Sequence, residues 1–218
     1  MIKAVIFDLD GTLIDGVADL YAAINTLFDE EGIAPIDEAS VESFIGDGIA
    51  ALVERCYRRA GAAPRDFSAS VARFKAIYHA EGYLRTKLFP EVEAALRDLS
   101  GRHQLGLCTN KDELHSRAIL RRCGIADLFR VVVGGDTLSA RKPDVRMLLH
   151  AAEGCGAGVE EIVYVGDSAV DSTLSAAAGA RFFLFAGGRH APQPSLARDA
   201  TFSDYAQLPA LVSLVDAR

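Results

Sequence analysis

Asp8 and Asp10 stand two residues apart at the end of a short apolar run, Lys3 to Phe7. On an extended segment residues i and i+2 point the same way, so the two carboxylates converge. Converging carboxylates repel each other unless a cation lies between them or one keeps its proton. Magnesium suits such a pair, because it is hard, takes oxygen ligands and commonly binds through one or two carboxylates together with phosphate. A second acidic pair, Asp167 and Asp171, follows the run Ile162-Val163-Tyr164-Val165, with Gly166 allowing a tight turn between them. Thr109 and Asn110 follow Leu105-Gly106-Leu107-Cys108 and precede a helical stretch. There a hydroxyl, an amide and helix N–H groups together make an anion site. Lys142, followed by Pro143, lies in a loop ahead of another helix.

Each cluster alone has an ordinary structural reading. Asp-Leu-Asp-Gly can end a strand in a turn, Asp171 can cap a helix, Thr109-Asn110 can be a plain helix start, and a lone lysine is normally a solvated charge. What sets them apart is their order. In open α/β sheets ligands bind beyond the carboxyl ends of the strands, and all four clusters follow predicted strands there.

The elements that must hold these residues can be read from apolar periodicity. Strands are expected at Lys3–Phe7, Leu105–Cys108, Phe129–Val133, Ile162–Val165, Arg181–Phe185 and Ala200–Phe202, alternating with helices at Glu91–Leu99, Asp112–Cys123, Asp144–Glu153, Ser172–Ala178 and Tyr205–Val215. Such alternation implies a doubly wound, mainly parallel α/β sheet of Rossmann-like type, covered on both faces. Right after the first strand the alternation is interrupted. Val17, Leu20, Tyr21, Ile24, Leu27 and Phe28 recur at helical spacing, and helices follow at about 37–44, 49–60 and 67–80 with no strand among them. The expected organisation is an α/β core over 1–15 and 86–218 with an all-helical insertion over 16–85, hinged near Asp15-Gly16 and 82–86. Gly187–Pro194 reads as a surface loop.

Composition removes several classes of function. Of 218 residues 50% are hydrophobic, enough for a real core, and 24% are charged, too few for disorder. No apolar run nears the roughly 20 residues a membrane span needs. Ala4–Phe7 is cut off by Asp8 with no cleavage pattern after it, so no signal peptide is expected and a cytoplasmic location follows. Four widely spaced cysteines without a CxxC pair read as buried thiols. With a net charge of -7 and no basic footprint, nucleic acid is not an expected partner. Arg55, Arg58 and Arg59 form the densest cationic group, a solvated helix face beside Glu54. An acidic protein that binds an anion must supply positive charge locally, through a metal ion and a few placed cations.

Phe7-Asp8-Leu9-Asp10-Gly11-Thr12-Leu13 resembles the first motif of the haloacid dehalogenase-like hydrolase superfamily, and Thr109, Lys142 and Gly166-Asp167 with Asp171 resemble its second, third and fourth motifs in order. The helical insertion resembles the C1-type cap of that superfamily. The resemblance implies that Asp8 is a nucleophile forming an aspartyl phosphate, and that Asp10 is the general acid and then the base. It implies that Thr109 and Lys142 hold phosphoryl oxygens, with Gly11, Thr12 and Asn110 as further phosphate-side candidates. Mg²⁺ is then held by Asp8, the backbone carbonyl of Asp10, and Asp167, with Asp171 orienting Lys142 or a metal-bound water. The cap is expected to close over a small phosphorylated metabolite. These roles make physical sense: a metal ion and Lys142 offset the repulsion between carboxylate and phosphate, and two displacements replace one harder hydrolysis.

Within the superfamily, the segments 15–20, 44–48, 52–55 and 88–92 resemble phosphoglycolate phosphatases. Gly16 stands where Ser is common and Glu91 where Gly is common, and Gly46-Asp47-Gly48 lacks a more usual Asn. Gly46 and Asp47 are candidates for a cap loop that faces substrate, and Arg55 for a substrate carboxylate, against the alternative of a surface helix charge. A sugar-phosphate mutase shares the four motifs; a dehalogenase lacks the second carboxylate of the first motif; a non-catalytic binding module loses Asp8, Asp10 or Lys142. A monomer or homodimer is expected.

Overall fold

The computed structural model describes residues 1–188 and 196–216. The loop expected at Gly187–Pro194 therefore lies outside the described residues from 189 onward. In chain order the elements are β1 (Ala4–Phe7), β2 (Ile14–Asp15), α1 (Val17–Glu31), α2 (Glu38–Ser43), α3 (Ile49–Arg59), α4 (Phe67–Ala80), β3 (Lys87–Leu88), α5 (Val92–Ser100), β4 (Gln104–Cys108), α6 (Glu113–Arg122), β5 (Phe129–Val133), α7 (Val145–Gly154), β6 (Ile162–Gly166), α8 (Ala169–Ala178), β7 (Arg181–Phe185), β8 (Ala200–Phe202) and α9 (Leu208–Asp216). None of these helices is long and apolar enough to cross a membrane. The chain divides into two compact units, Met1–Asp15 with Leu88–Arg218, and Gly16–Lys87.

The first unit is built on a six-stranded sheet in the order β5-β4-β1-β6-β7-β8, every pairing parallel. This is the expected fold class. β1 lies inside the sheet, with Phe7 level with Leu107 on one side and Val165 on the other. Its four residues are wholly buried, which is why they form an unbroken apolar run rather than an alternating one. Successive side chains face opposite ways. Ala4, Ile6, Tyr164, Phe182 and Leu184 join Met147, Leu148, Ala151 and Ala152 of α7 and Leu174 of α8 in one core cluster. Helices α5 and α6 pack on β4 and β5. Because all strands run the same way, their carboxyl ends collect at one edge. β2 and β3 pair as a separate two-residue ladder.

The second unit is helical. α1 packs on α2 and α4, and α3 on α2 and α4. Leu20, Ile24, Leu27, Phe28, Val53, Cys56, Phe74 and Tyr78 fill its core. Phe28 and Tyr57 meet edge-on with ring centroids 5.1 Å apart. Polar anchoring inside it is local: Glu31 accepts from the Tyr57 hydroxyl at 2.6 Å and from Ser70 Oγ at 2.8 Å. The four cysteines carry no disulfide, and Cys56, Cys108 and Cys155 are buried.

Candidate active site

Asp8 is the first residue past β1, and its N–H donates to Val165 O of β6 at 2.9 Å, so the nucleophile candidate is pinned between two strands. The chain then turns back on itself through Leu13 N to Leu9 O at 2.9 Å and Gly11 N to Ile14 O at 2.9 Å. Gly11 has φ +81°, and a Cβ at this position would collide with the Asp167 carboxylate. Only glycine meets both demands. Thr12 is fully buried: its hydroxyl donates to Asp167 Oδ1 at 2.9 Å, and its carbonyl accepts from Tyr205. Thr12 therefore orients an acidic residue.

Lys142 enters from the loop before α7, and Asn110 fixes that loop. The Asn110 amide oxygen accepts from Lys142 N at 2.8 Å and its nitrogen donates to Lys142 O at 3.3 Å. Asn110 thus acts on the backbone of Lys142. The ammonium of Lys142 has three N–H bonds and three oxygens around it. Asp171 Oδ1 lies at 2.7 Å, Asp8 Oδ1 at 2.9 Å and the Tyr164 hydroxyl at 3.1 Å. Asp171 has no surface exposed, and both of its oxygens are engaged. Oδ1 accepts from Lys142 and from Tyr164, and Oδ2 accepts from Ser168 N at 3.1 Å and Ser168 Oγ at 2.6 Å. Ser168 is the N-cap of α8 and Asp171 its third residue, a reciprocal cap. Asp171 is a helix cap and the partner of Lys142 at once. A Cβ on Gly166 would lie 2.5 Å from its carboxyl carbon, so the glycine is needed for Asp171 to reach in.

The balance of charge here is negative. One oxygen each from Asp8, Asp167 and Asp171 lies within 4.8 Å of the others. Burial pushes the Asp8 carboxyl up to about 6; Lys142 opposes the shift and Asp171 adds to it. Burial raises Asp167 well above the ordinary range, reinforced by Asp171 and Asp8. Burial would also raise Asp171, but Lys142 outweighs it and holds Asp171 low. Burial would lower Lys142, but Asp171 and Asp8 outweigh it and raise it. Lys142 approaches Asp8 Oδ1 as an ion pair without hydrogen-bond alignment, and that buried oxygen has no hydrogen-bond partner. Three converging carboxylates against one lysine, with an Asp8 oxygen that accepts no aligned hydrogen bond, make a donor set that suits a hard divalent cation. Asp8 and Asp167 fit that role. Asp171, with both oxygens spent, fits the orientation of Lys142.

Asp10 lies on the open side of the site and is partly exposed; both its oxygens accept from Lys111 Nζ, at 3.2 and 3.0 Å. Thr109 follows β4, with its N–H on Val133 O at 3.0 Å and its hydroxyl accepting from Lys111 N at 3.3 Å. Asp8, Asp10, Gly11, Thr12, Thr109, Asn110, Lys142, Asp167 and Asp171 all belong to the α/β unit. Gly46, Asp47 and Arg55 belong to the helical unit, where Arg55 pairs with Asp47 and donates to Phe44 O at 3.1 Å.

Lys111, Tyr164 and Ser168 join the site without having been singled out in the sequence. Tyr164 is masked by its strand, where an aromatic reads as core. Ser168, three residues before Asp171, carried a capping signal. Lys111 follows Thr109-Asn110 directly and reads as an ordinary solvated lysine, yet it is buried.

Known proteins resemble this chain over nearly its whole length. A family model described as haloacid dehalogenase-like hydrolase matches residues 5–185. A protein of Cereibacter sphaeroides named phosphoglycolate phosphatase is 42% identical over 212 residues, 95% of this chain and 96% of that one. One of the same name from Rhodospirillum rubrum is 38% identical over 216 residues, 95% and 90% of the two chains. The crystal structure of a predicted phosphoglycolate phosphatase from Haemophilus somnus 129pt matches with a TM-score of 0.89 at 27% identity, covering 97% of this chain and 98% of that one. The chain belongs to the haloacid dehalogenase-like hydrolases. Its enzyme class is that of the phosphoric monoester hydrolases.

Proposed function

We propose that the protein is a Mg²⁺-dependent phosphatase that hydrolyses a small phosphate monoester, 2-phosphoglycolate foremost, through an aspartyl phosphate on Asp8. The observation that carries this proposal is the convergence of Asp8, Lys142 and Asp167 at the carboxyl edge of a parallel sheet, with an Asp8 oxygen buried and without a hydrogen-bond partner. The choice of ester draws on relatives about 40% identical over nearly the whole chain, which carry the name phosphoglycolate phosphatase. In this reading Gly16–Lys87 is the cap domain.

An Asp8 carboxylate oxygen attacks phosphorus, the ester P–O bond breaks, and Asp10 gives its proton to the departing alkoxide. Water then attacks the phosphorus of the aspartyl phosphate, Asp10 takes the proton, and the P–O bond to Asp8 breaks to release inorganic phosphate. Lys142, held by Asp171 and Tyr164, places one positive charge beside Asp8 throughout. Asp8, Asp167 and the Asp10 carbonyl are the residues that would hold Mg²⁺, which supplies positive charge against the phosphoryl oxygens.

The test is phosphate release from a panel of monoesters, with Mg²⁺ and with EDTA, beside Asp8→Asn. Release that needs Mg²⁺, is lost in the variant and is fastest with 2-phosphoglycolate is expected. A clear preference for another ester removes the substrate; no release from any ester removes the phosphatase.

A further inference from the structure

The site contains two buried lysines with different surroundings. Burying an ammonium costs several kcal/mol unless acceptors replace its water. Lys142, on the Asp8 side, is ringed by Asp8, Asp171 and Tyr164. Lys111, on the Asp10 side, reaches across to both Asp10 oxygens, and its side chain is only 3% exposed. Its position is set from the backbone. Lys111 N donates to Thr109 Oγ1 at 3.3 Å, and Lys111 O accepts from Gly135 N at 2.8 Å.

In the reaction proposed above Asp10 donates a hydrogen bond, and then its proton, to the leaving oxygen. A hydrogen bond of about 2.8 Å from Asp10 to that oxygen leaves the oxygen within roughly 6 Å of Lys111 Nζ, which itself lies 3.0 Å from Asp10. A carboxylate one carbon beyond the leaving oxygen falls inside that span and can meet the ammonium directly. A neutral alcohol at the same place offers it no charge. The Arg55 guanidinium is engaged by Asp47 and Phe44 O within the helical unit.

We propose that Lys111 is the specificity residue for a negatively charged leaving group, so that the substrates are phosphate esters of short 2-hydroxy carboxylic acids. The proposal rests on the phosphatase reading and on Asp10 facing the leaving oxygen. Lys142 serves the phosphoryl side, common to every ester; Lys111 serves the alcohol side, where esters differ.

The experiment compares kcat/KM for 2-phosphoglycolate and for 2-hydroxyethyl phosphate, which replaces the carboxylate by a hydroxymethyl group, in wild type, Lys111→Met and Lys111→Arg, with folding checked by circular dichroism. A charge-assisted bond built for a carboxylate should give the wild type a preference of at least about 100-fold for 2-phosphoglycolate. Lys111→Met should bring that ratio below about tenfold, with most of the loss in KM for the anionic ester, and Lys111→Arg should keep more of it. Equal losses on both esters would show that Lys111 only orients Asp10 and would overturn the proposal. A wild-type ratio near one overturns it too, while leaving the phosphatase standing. If the wild type with Mg²⁺ cleaves neither ester nor any other, the phosphatase reading falls first and this one with it. If Lys111→Met does not fold, Lys111→Gln takes its place and is read the same way.

Discussion

Lys142 Nζ and Asp171 Oδ1 lie 2.7 Å apart, with side chains only 2% and 0% exposed. Breaking a buried ion pair from one side leaves the other charge stranded, at a cost of about 3–5 kcal/mol. Here Lys142→Met strands Asp171 and removes the counter-charge of Asp8 as well. Lys142→Met should therefore unfold about 3 kcal/mol earlier in urea than wild type and lose at least about 100-fold in kcat. Adding Asp171→Asn should recover part of the stability and none of the activity. If the single variant is as stable as wild type, Lys142 is not the partner that keeps Asp171 ionised.

The second expectation concerns pH and metal. The folded-state pKa of Asp8 is pushed up from 3.8 to about 6, and that of Asp167 is raised well above the ordinary carboxylate range. Between those values the native state holds protons that the unfolded chain has released, so stability falls as pH rises. For Asp8 alone this amounts to about 3 kcal/mol between pH 4 and above pH 6. Asp171 acts oppositely: its lowered pKa contributes stability above the unfolded value, lost as pH falls through the folded one. In EDTA, wild type should lose stability relative to Asp8→Asn as pH rises from 4 to 7. If Mg²⁺ is held by the ionised carboxylates as proposed, it should raise wild-type Tm much more at pH 7.5 than at pH 4.5. Thermal melts of both proteins at the two pH values check this, and an equal Mg²⁺ shift at both would count against the site.

Much of this fold is legible in the sequence because burial on both faces turns each core strand into an unbroken apolar run. Phe129–Val133, Arg181–Phe185 and Ala200–Phe202 match their structural bounds, and the run expected at Lys3–Phe7 begins one residue later, at Ala4. β2 and β3 escape the same reading, because two residues are too few to show a period. Asp167 and Asp171 are legible as a pair, but the sequence leaves open whether Asp171 caps, binds metal or orients Lys142. The structure joins the first and last of these through two different oxygens. Lys111 escapes because nothing local distinguishes a buried lysine from a solvated one; its burial comes from Asp10, 101 residues away.

Glu91 carries a backbone cost that its side chain does not repay. It is the N-cap of α5 at φ +61° and makes no side-chain cap bond. A left-handed conformation costs a residue with a Cβ roughly 1–2 kcal/mol. Glu91→Gly relieves that strain and gives back part of the gain as unfolded-chain entropy. The variant should be more stable by up to about 1 kcal/mol, read as a rise in Tm of about 2–4 °C, with hydrolysis unchanged. A fall in Tm would show that Glu91 makes a compensating contact.

Asp19, in the first turn of α1, is fully buried and ties the two ends of the helical unit together. It accepts from Arg85 N at 3.1 Å and from Thr86 N and Thr86 Oγ1 at 2.7 Å each, with the Arg85 guanidinium at 3.4 Å. Asp19→Ala leaves the buried donors of Thr86 without acceptors, each costing about 1–3 kcal/mol. The expected loss is about 3 kcal/mol in urea unfolding, together with faster proteolysis of the segment 82–87, which this carboxylate fixes to α1 through three backbone and hydroxyl donors. Asp19→Asn keeps two acceptor lone pairs and should lose less. An Asp19→Ala protein within about 0.5 kcal/mol of wild type would mean that the segment is held by its apolar neighbours, chiefly the buried Tyr83 packed edge-on against Tyr78.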